Sequence, residues 1–526
     1  MLGKLNNKYF ALALVVLLAL PSVWYLFVPG FIKTDDGNWM IIRFSAFYQA
    51  LRDGQFPVRF LGRLNFGYGY PVSNFLYPGF MYLGIPFKIL GLSFVNVVKI
   101  IIAGSVVLSG AFVYLWLTKL FDIWESLFAG LFYVYSAYHI FDVTKRGSVG
   151  EILALAVAPL LFWQVEEGNI IISSLALSLL IISHNTLAIL FLGLLLSYMI
   201  LSVIVAKKKD DLINVYKQII FFGLGISAFF SVPAVLELGN TVFLQTKISN
   251  FSNYFADYDL IGIATIFLIV AGVIAFIIEK DLYKKHRMTL LMLSISAISI
   301  YFATPYSSFL WRLLPVGFIQ FPFRVLSVTI LSASFLAAFF LSRIPIKFRF
   351  AAGIILIVVT ATLSVKYLLP SFDKLPDSFY STNEDSTTVA NEYMPKWVQV
   401  KPVAHPPAKV AVVAGEGNIS NVIYNNQKIS FNFSSQSPSI VRVNTIYYPG
   451  WTAYSNDVQK AIFHDNKFGV MDIKLIPGNE KISFYFGETP LRIMADLISL
   501  LSFFGLFIWV YQKKIFNLLV KIINKK

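Results

Sequence analysis

The sequence predicts a polytopic α-helical membrane protein of about 12 spans with a polar, β-rich domain near its C-terminus. Three observations support this fold class. Hydrophobic residues make up 57% of the 526 residues and charged residues only 13%, and the mean hydropathy is +0.70. Apolar stretches of about 20 residues, the length that crosses a bilayer, recur along the chain. Short tracts of Lys and Arg separate them, which is typical of cytoplasmic loops.

The composition also excludes some functions. The net charge is +15, but most basic residues lie between apolar stretches, where they orient spans and contact anionic lipid headgroups. We therefore expect membrane lipids and no nucleic acid among the partners. The chain has no cysteine, which excludes disulfides, thiolate catalysis and Cys-ligated metal. The apolar N-terminal stretch lacks a clear small-residue cleavage site, so we expect an uncleaved first span at about 9–28.

Basic clusters predict the orientation. Placing Lys4 and Lys8 in the cytoplasm makes the first span run outward. Alternation along the chain then puts four later clusters on the inner side as well, at 207–209, 280–287, 343–349 and 513–526. The expected result is a multi-pass plasma-membrane protein with both termini in the cytoplasm and with its large polar segment outside.

The same topology predicts the domains. The membrane domain has a long outer loop at 29–76. Alternating polar and apolar residues between turn signals predict a small exterior β-sandwich in the polar segment. The predicted boundaries are 1–369 for the membrane domain, 370–490 for the β-rich domain, and 491–526 for a final span and a basic cytoplasmic tail.

The first outer loop contains an acidic pair. After Asp35 and Asp36, apolar residues at helical spacing, such as Ile41 and Phe44, predict an amphipathic helix lying in the membrane interface. A carboxylate at the start of a helix stabilises its free backbone N–H groups. The pair is therefore expected either to cap this helix or to take part in catalysis.

Further ionisable residues lie isolated at the ends of predicted spans, all on the outer side. Charged groups at membrane depth are costly and normally pair or face a wet cavity, so we expect one outward-facing polar cleft. The alternatives are a structural Arg146–Glu151 ion pair, an interfacial anchor at Arg324 and a hydrogen-bonded packing role for His184. The residues of the expected cleft are Asp142, Arg146, Glu151, His184 and Arg324, together with Asp35 and Asp36.

Several short motifs occur in order along nearly the whole chain. They are the acidic pair at 35–36, DGQFP at 53–57, GYGYP at 67–71, KRGSVGE at 145–151, SHN at 183–185, FPFR at 321–324, NEYMP at 391–395 and YYPGW at 447–451. Together they resemble the bacterial membrane proteins labelled 6-pyruvoyl-tetrahydropterin-synthase-related, which are similar to YfhO-like and other GT-C glycosyltransferases. The chain offers no His cluster for zinc-dependent pterin chemistry, so that part of the label is not expected to apply.

The resemblance implies a glycosyltransferase. GT-C enzymes usually take the sugar from a polyprenyl phosphate, and an acidic residue in the first outer loop binds the acceptor or a metal and can serve as the catalytic base. By this resemblance the role falls on Asp35 or Asp36, and the acceptor is a glycan or a lipid on the outer face.

The residue types fit that chemistry. Lys145, Arg146, His184 and Arg324 are candidates for the departing phosphate. Asp142 and Glu151 are expected to orient these cations or to help hold a divalent cation, and the metal requirement stays open. The alternative function is a lipid or polysaccharide transporter or flippase-like protein without transferase activity, and a membrane scaffold is a third. Transporters commonly show repeated halves, and the absence of an internal repeat favours an enzyme.

Overall fold

A computed structural model describes residues 2–246, 251–279 and 286–523 of the chain. The predicted basic residues at 280–285 and Lys525–Lys526 lie outside the described residues. The helices are α1 Leu2–Ala19, α2 Gly37–Arg52, α3 Gly79–Ile89, α4 Phe94–Leu117, α5 Ile123–Tyr135, α6 Ala137–Phe141, α7 Val149–Glu166, α8 Ile170–Ser183, α9 Asn185–Val205, α10 Lys209–Ile226, α11 Ala228–Leu236, α12 Tyr258–Ile261, α13 Ile263–Ile278, α14 Arg287–Ala303, α15 Ser308–Leu313, α16 Leu326–Arg343, α17 Ile346–Leu363, α18 Asp377–Thr382 and α19 Pro490–Ile523.

Seven helical segments within the described residues are long and apolar enough to cross a membrane by themselves. Two bent helix pairs, α10 with α11 and α14 with α15, raise the number to nine if each pair is one span. By length and composition the chain is thus a multi-pass membrane protein. The seven segments are Asn7–Phe27, Phe94–Leu117, Val149–Glu166, Asn185–Val205, Pro322–Arg343, Ile346–Leu363 and Pro490–Gln512.

The number of about 12 spans stays a prediction. Helices α8 and α13 are apolar but shorter than a full span. Helix α5 has only 13 residues and ends at Ser136, whose extended backbone separates it from α6. A hydropathy profile cannot distinguish such short or broken segments from complete spans, because it averages over a window of about 19 residues.

Helix α2 is the helix that the sequence places in the membrane interface. The prediction that it lies on a lipid surface is wrong. Both Ile41 and Phe44 are fully buried, but so are residues on the other faces of the helix, such as Arg43 and Ser45. Arg43 donates to the carbonyl oxygen of Thr387 at 2.6 Å. Helix α2 therefore packs between the helical bundle and the polar segment rather than floating on a lipid surface.

The polar segment is rich in β-strands, as predicted. Strands β1 (Phe31–Ile32) and β2 (Phe372–Asp373) form a small antiparallel pair that joins the first loop to the start of this segment. The other strands form two antiparallel sheets, ordered β4-β5-β10-β7-β8 and β3-β6-β9. They are β3 Val410–Ala414, β4 Asn418–Tyr424, β5 Lys428–Ser435, β6 Ser439–Ile446, β7 Trp451–Ser455, β8 Val458–Lys460, β9 Val470–Leu475 and β10 Gly478–Phe486.

Alternate residues of β5, β7 and β10 in one sheet and of the first half of β6 in the other are buried, so both sheets contribute to one core. Phe431 on β5, Val441 on β6 and Phe484 on β10 are each no more than 1% exposed. This pattern fits the expected β-sandwich, in which inward and outward residues alternate along each strand. The domain boundaries at 370 and 490 remain predictions.

A buried ion pair ties the β-rich domain to the bundle. Arg492, at the start of α19, donates to the Glu237 carboxylate at 3.0 and 2.8 Å. The Tyr448 hydroxyl of the YYPGW motif donates to the same carboxylate at 2.9 Å, and the Asn74 amide donates to it at 2.8 Å. The YYPGW motif therefore has a structural role. The hydrogen bonds to Glu237 hold the β-rich domain against the first outer loop.

The orientation can be tested by cysteine labelling, because the natural chain has no cysteine. A cysteine at Asp385, exposed in the polar segment, should react with an impermeant reagent on intact cells. A cysteine at Lys208, equally exposed in a basic loop, should react only after permeabilisation. The reverse pattern, or equal labelling, would contradict the predicted sidedness.

Candidate functional site

Backbone hydrogen bonds hold the acidic pair against the KRGSVGE motif. The Asp35 N–H donates to the Lys145 carbonyl at 2.8 Å, and the Asp36 N–H donates to the Arg146 carbonyl at 2.8 Å. The following Gly147 has a left-handed φ of 66°. A Cβ at this position would lie 2.2 Å from the Thr34 Oγ1 atom. Only glycine therefore permits this close approach of the two loops.

The capping interpretation of the acidic pair is wrong. Asp36 occupies the position before α2, but its side chain forms no capping hydrogen bond. The Thr34 hydroxyl oxygen accepts the Gly37 N–H at 3.0 Å instead. The Asp36 carboxylate lies 2.9 Å from the Arg146 Nη2 atom, so it belongs to the charged cluster.

Glu151, in the first turn of α7, is the centre of that cluster. Its Oε1 atom lies 2.9 Å from Arg324 Nε and 2.8 Å from Arg324 Nη2. Arg146 Nη2 is 3.6 Å away, and Tyr138 donates to Oε2 at 3.4 Å. The Glu151 side chain is fully buried. A buried carboxylate needs such partners, because an unpaired charge in this environment is strongly unfavourable.

The FPFR motif brings the two arginines together. The Phe321 ring lies 4.8 Å from the Arg146 guanidinium carbon and 4.6 Å from that of Arg324. Such cation–π contacts favour guanidinium groups over the ring face. A single aromatic residue thus contacts both cations of the cluster.

The SHN motif supplies the third basic residue. His184 precedes α9, and its Nδ1 atom accepts the Leu187 N–H at 3.2 Å. Because Nδ1 is an acceptor, the hydrogen-bond network assigns the ring proton to Nε2, which lies 3.5 Å from Glu151 Oε1. A Cβ at Gly150 would come within 2.4 Å of the Ser183 carbonyl oxygen. Glycine at that position therefore lets α7 approach the motif closely.

Two of the predicted residues do not join this contact network. Asp35 is nearly half exposed and lies 3.5 Å from the still more exposed Lys145. Asp142 is buried, and neither of its carboxylate oxygens has a hydrogen-bond partner among the described residues. The network therefore consists of Asp36, Arg146, Glu151, His184 and Arg324.

The carboxyl groups differ in their electrostatic environment. Burial raises the pKa of Asp36 above its ordinary value of 3.8, an effect opposed by the nearby Arg146. Burial raises the pKa of Asp142 well above 3.8, and the negative charge of Glu151 adds to this shift. Asp142 is thus favoured in its neutral form. Asp36, whose side chain is 20% exposed, is the one network carboxylate that solvent can reach.

An apolar groove opens beside the charged network. It has a volume of about 420 Å³ and is lined by residues of α9 and α11 and by residues near the end of the first loop such as Phe75 and Tyr77. His184, Gln320 and Arg324 lie on its wall. The groove therefore joins an apolar channel to a group of hydrogen-bond donors.

The residues of the site do not form a metal-binding set. No group of three or more His, Asp or Glu that could hold a metal ion occurs in the described parts of the chain. Both network carboxylates are engaged by arginine: Asp36 by Arg146 and Glu151 by Arg324. A divalent cation needs several free oxygen ligands, so the expectation of a cation held by Asp142 and Glu151 gains no support here.

Sequence reasoning did not identify Gln320 or Tyr138. The Gln320 side chain accepts from Arg324 Nη1 at 2.7 Å, and its backbone has a left-handed φ of 66°. No sequence pattern predicts this hydrogen bond or this backbone angle. Only the adjacent FPFR motif indicates a functional region here. Tyr138 could have been suspected from its position near KRGSVGE, but tyrosines are frequent at the ends of spans.

The chain resembles several solved membrane-protein structures. The arabinofuranosyltransferase AftD from Mycobacteria has 15% identity and a TM-score of 0.47, over 69% of this chain and 27% of that one. The apo oligosaccharyltransferase of Archaeoglobus fulgidus has 14% identity and a TM-score of 0.43, over 71% and 56%. The AglB oligosaccharyltransferase from Archaeoglobus fulgidus, in complex with an inhibitory peptide and a dolichol-phosphate, has 14% identity and a TM-score of 0.40, over 72% and 56%.

The chain thus spans about a quarter of the length of AftD and just over half of the two oligosaccharyltransferase chains. No protein-family model matches it, and no curated protein matches it. The resemblance to 6-pyruvoyl-tetrahydropterin-synthase-related and YfhO-like proteins therefore stays a prediction. Since all three TM-scores are below 0.5, the function has to be inferred from the site itself.

Proposed function

We propose that this protein is a GT-C-like membrane glycosyltransferase that transfers a sugar from a polyprenyl-phosphate donor to a glycan or lipid acceptor on the outer face. One observation carries the proposal. An apolar groove has Arg324 and His184 on its wall, and Glu151 and Arg146 connect Arg324 to the partly exposed Asp36 carboxylate. A lipid tail, a phosphate and a base for the acceptor hydroxyl thus have complementary groups within one connected set of side chains.

The groove accounts for the donor. Its mainly aliphatic and aromatic wall fits a polyprenyl chain, because burying apolar surface is favourable by about 25 cal/mol per Å². The Arg324 guanidinium uses four of its five N–H groups on Glu151, Gln320 and the Ile319 carbonyl. One N–H of Nη2 is then available to a phosphate oxygen, and the Nε2 proton of His184 is a second donor.

Asp36 is the proposed base. The Asp36 carboxylate takes the proton of the acceptor hydroxyl as the hydroxyl oxygen forms its bond to the anomeric carbon of the sugar. The bond between that carbon and the phosphate oxygen breaks, and its electron pair leaves with the lipid phosphate. A base is most effective when its pKa is close to the operating pH, so the raised pKa of Asp36 favours this role.

Arg146 and Arg324 stabilise the charge on the departing phosphate. Donors aimed at a developing negative charge lower the barrier most where water is excluded. Glu151 positions both guanidinium groups, and Phe321 limits their movement. Glu151 is therefore a positioning residue, because its fully buried carboxylate is out of reach of the substrate.

The reaction can be tested in cells with and without the gene. Mass spectrometry of extracted lipids and glycans should show loss of one sugar modification and accumulation of the unused polyprenyl-phosphate sugar. Expression of the wild-type gene should restore the product, whereas an inactive Asp36 variant should not. Unchanged glycans together with an altered sidedness of a lipid or polysaccharide would instead favour the transporter alternative.

The donor site makes a separate prediction. Arg324→Gln and Arg146→Gln should each weaken binding of a polyprenyl-phosphate sugar by about tenfold or more, because a hydrogen bond to a charged group contributes about 1.5–3 kcal/mol. Lys should restore binding only in part, since it lacks the planar fork of Arg. Arg312→Gln, an exposed arginine in α15 away from the groove, is the matched control.

Binding and melting temperature should be measured on the same purified variants. A lowered melting temperature with unchanged donor affinity in the folded fraction would show that the arginines are only structural. A soluble sugar phosphate without the polyprenyl tail should bind weakly to the wild type. Equal affinity for both donors would contradict the role of the groove.

A further inference from the structure

A second, larger cleft lies between α2, the segment that follows α18, and the β-rich domain. Its volume is about 1110 Å³. We call it the interdomain cleft, and its defining residues are Tyr48, Arg52, Arg63, Tyr424, Thr445 and Trp451. None of the five residues of the charged network lines it.

The cleft is remote from the proposed base. Ser45 is the residue of α2 nearest to Asp36 that lines the cleft, and Asp36 directly precedes the same helix. Since an α-helix rises 1.5 Å per residue, about 14 Å separates the two positions along the helix axis. A molecule in the cleft is therefore not the reacting group itself.

The charge of the cleft is predominantly positive. Of its acidic residues, Asp53 accepts the Asn426 N–H at 3.0 Å, and Glu384 Oε2 lies 2.8 Å from His405 Nε2 without a hydrogen-bonding geometry. Arg52 is exposed and forms no ion pair with any described residue. Arg63 and Lys88 add further positive charge to the wall, whereas burial lowers the pKa of Lys409 to about 7. This surface favours a negatively charged molecule.

Several buried polar atoms of the wall lack a partner. Thr445 Oγ1, Trp451 Nε1 and Arg63 Nε have no hydrogen-bond partner within the described residues. Thr445 is 2% exposed and Trp451 is 5% exposed. Each of the three groups can donate a hydrogen bond. Buried polar groups are normally satisfied, so this set favours a ligand that is rich in acceptor oxygens.

Aromatic rings complete the wall. Tyr424, the last residue of β4, is 59% exposed, and the rings of Tyr48 and Phe66 are partly exposed. Exposed apolar patches rimmed by polar residues often mark a binding groove. Flat rings with a polar end suit molecules that have both an apolar face and many hydroxyl groups, which is the character of a sugar ring.

We propose that the interdomain cleft binds an anionic glycan, in which carboxylate or phosphate groups contact the basic wall and sugar rings stack on the tyrosines. The volume exceeds that of most small-molecule sites, which are about 300–1,000 Å³, so the ligand is an oligosaccharide segment. Only one further step rests on the proposed function: the glycan is the distal part of the acceptor whose other end reacts at Asp36.

Binding can be measured without any transfer reaction. The 526-residue chain in nanodiscs of zwitterionic lipid should bind hexagalacturonate, monitored by microscale thermophoresis, and the affinity should fall as salt is added. Arg52→Gln and Tyr424→Ala should each weaken this binding about tenfold. Lys481→Gln and Tyr485→Ala are matched controls on the same domain, because both side chains are exposed and lie outside the cleft. They should bind as the wild type does.

Three outcomes would overturn the proposal. Neutral maltohexaose could bind as tightly as hexagalacturonate, hexagalacturonate could fail to bind, or the two cleft variants could leave the affinity unchanged. Displacement of hexagalacturonate by nanodiscs containing phosphatidylglycerol, with the same variants weakening that effect, would assign the cleft to lipid headgroups instead.

The two proposals fail separately. Asp36→Asn should bind hexagalacturonate with wild-type affinity, since the residue lies far from the cleft. If the wild type binds hexagalacturonate but transfers no sugar, the cleft proposal stands. Only the inference that the bound glycan is part of the acceptor is then wrong. If transfer occurs without binding in the cleft, the cleft proposal is wrong and the transferase proposal stands.

Discussion

Replacing Asp36 with Asn should reduce the rate of sugar transfer by about 10²- to 10⁴-fold, the usual contribution of a general base. Asn has nearly the same size as Asp and keeps the backbone hydrogen bond to the Arg146 carbonyl. It cannot accept the proton of the acceptor hydroxyl. The transfer rate should therefore fall strongly, whereas the melting temperature should change by only a few degrees.

Asp35→Asn is the matched control for this experiment. Asp35 is adjacent in sequence and also pairs with a basic residue, but its contact with Lys145 is exposed at 3.5 Å. Exposed ion pairs contribute only about 0.2–1 kcal/mol, so this variant should transfer sugar at close to the wild-type rate. Normal product formation by both variants, at normal membrane levels, would show that neither carboxylate is the base.

The pH dependence gives an independent readout of the same assignment. A base must be deprotonated to act, so the wild-type rate should fall as the pH drops through the pKa of Asp36. Because burial raises this pKa, the decline should be centred above 3.8. The acidic decline should be absent from the residual rate of Asp36→Asn. A purely structural role for Asp36 predicts the same pH profile in both proteins.

The general architecture could be predicted because hydropathy and strand alternation are local properties. Apolar stretches located the long helices, and the alternation at 429–433 located β5. The environment of α2 could not be predicted, because the amphipathic pattern does not tell a lipid surface from a protein surface. The partner of Arg43, Thr387, lies 344 residues away in the sequence, and no local pattern specifies such a contact.

Within the site, the sequence located the charged residues but not their pairing. The expected Arg146–Glu151 ion pair exists only as a 3.6 Å contact, whereas Arg324 makes the closer contact with Glu151. Span topology can place groups on one side of a membrane, but it does not fix distances within that side. The same limit explains why the sequence groups Asp142 with the network, although neither of its carboxylate oxygens has a hydrogen-bond partner among the described residues.

Glu151→Gln should cause the largest loss of stability among single changes in the site. Glu151 is fully buried beneath Arg324, Arg146 and His184. Removing its charge leaves two buried guanidinium groups with less compensation, and breaking a buried pair in this way typically costs about 3–5 kcal/mol. The free energy of unfolding in detergent, measured by tryptophan fluorescence, should fall by about this amount. Sugar transfer by the folded fraction should fall as well, because the arginines lose their positioning residue.

Glu279→Gln provides the comparison for an exposed ion pair. Glu279 and Arg343 approach within 2.6 Å, but both side chains are nearly half exposed, so the loss should stay below about 1 kcal/mol. A double variant tests the buried pair directly. If Glu151 and Arg324 stabilise each other, Glu151→Gln combined with Arg324→Gln should lose less stability than the two single losses added together, by about 0.5–3 kcal/mol. Strictly additive losses, or a Glu151→Gln protein as stable as the wild type, would show that Glu151 does not hold the cluster together, and the positioning role assigned to it would have to be abandoned.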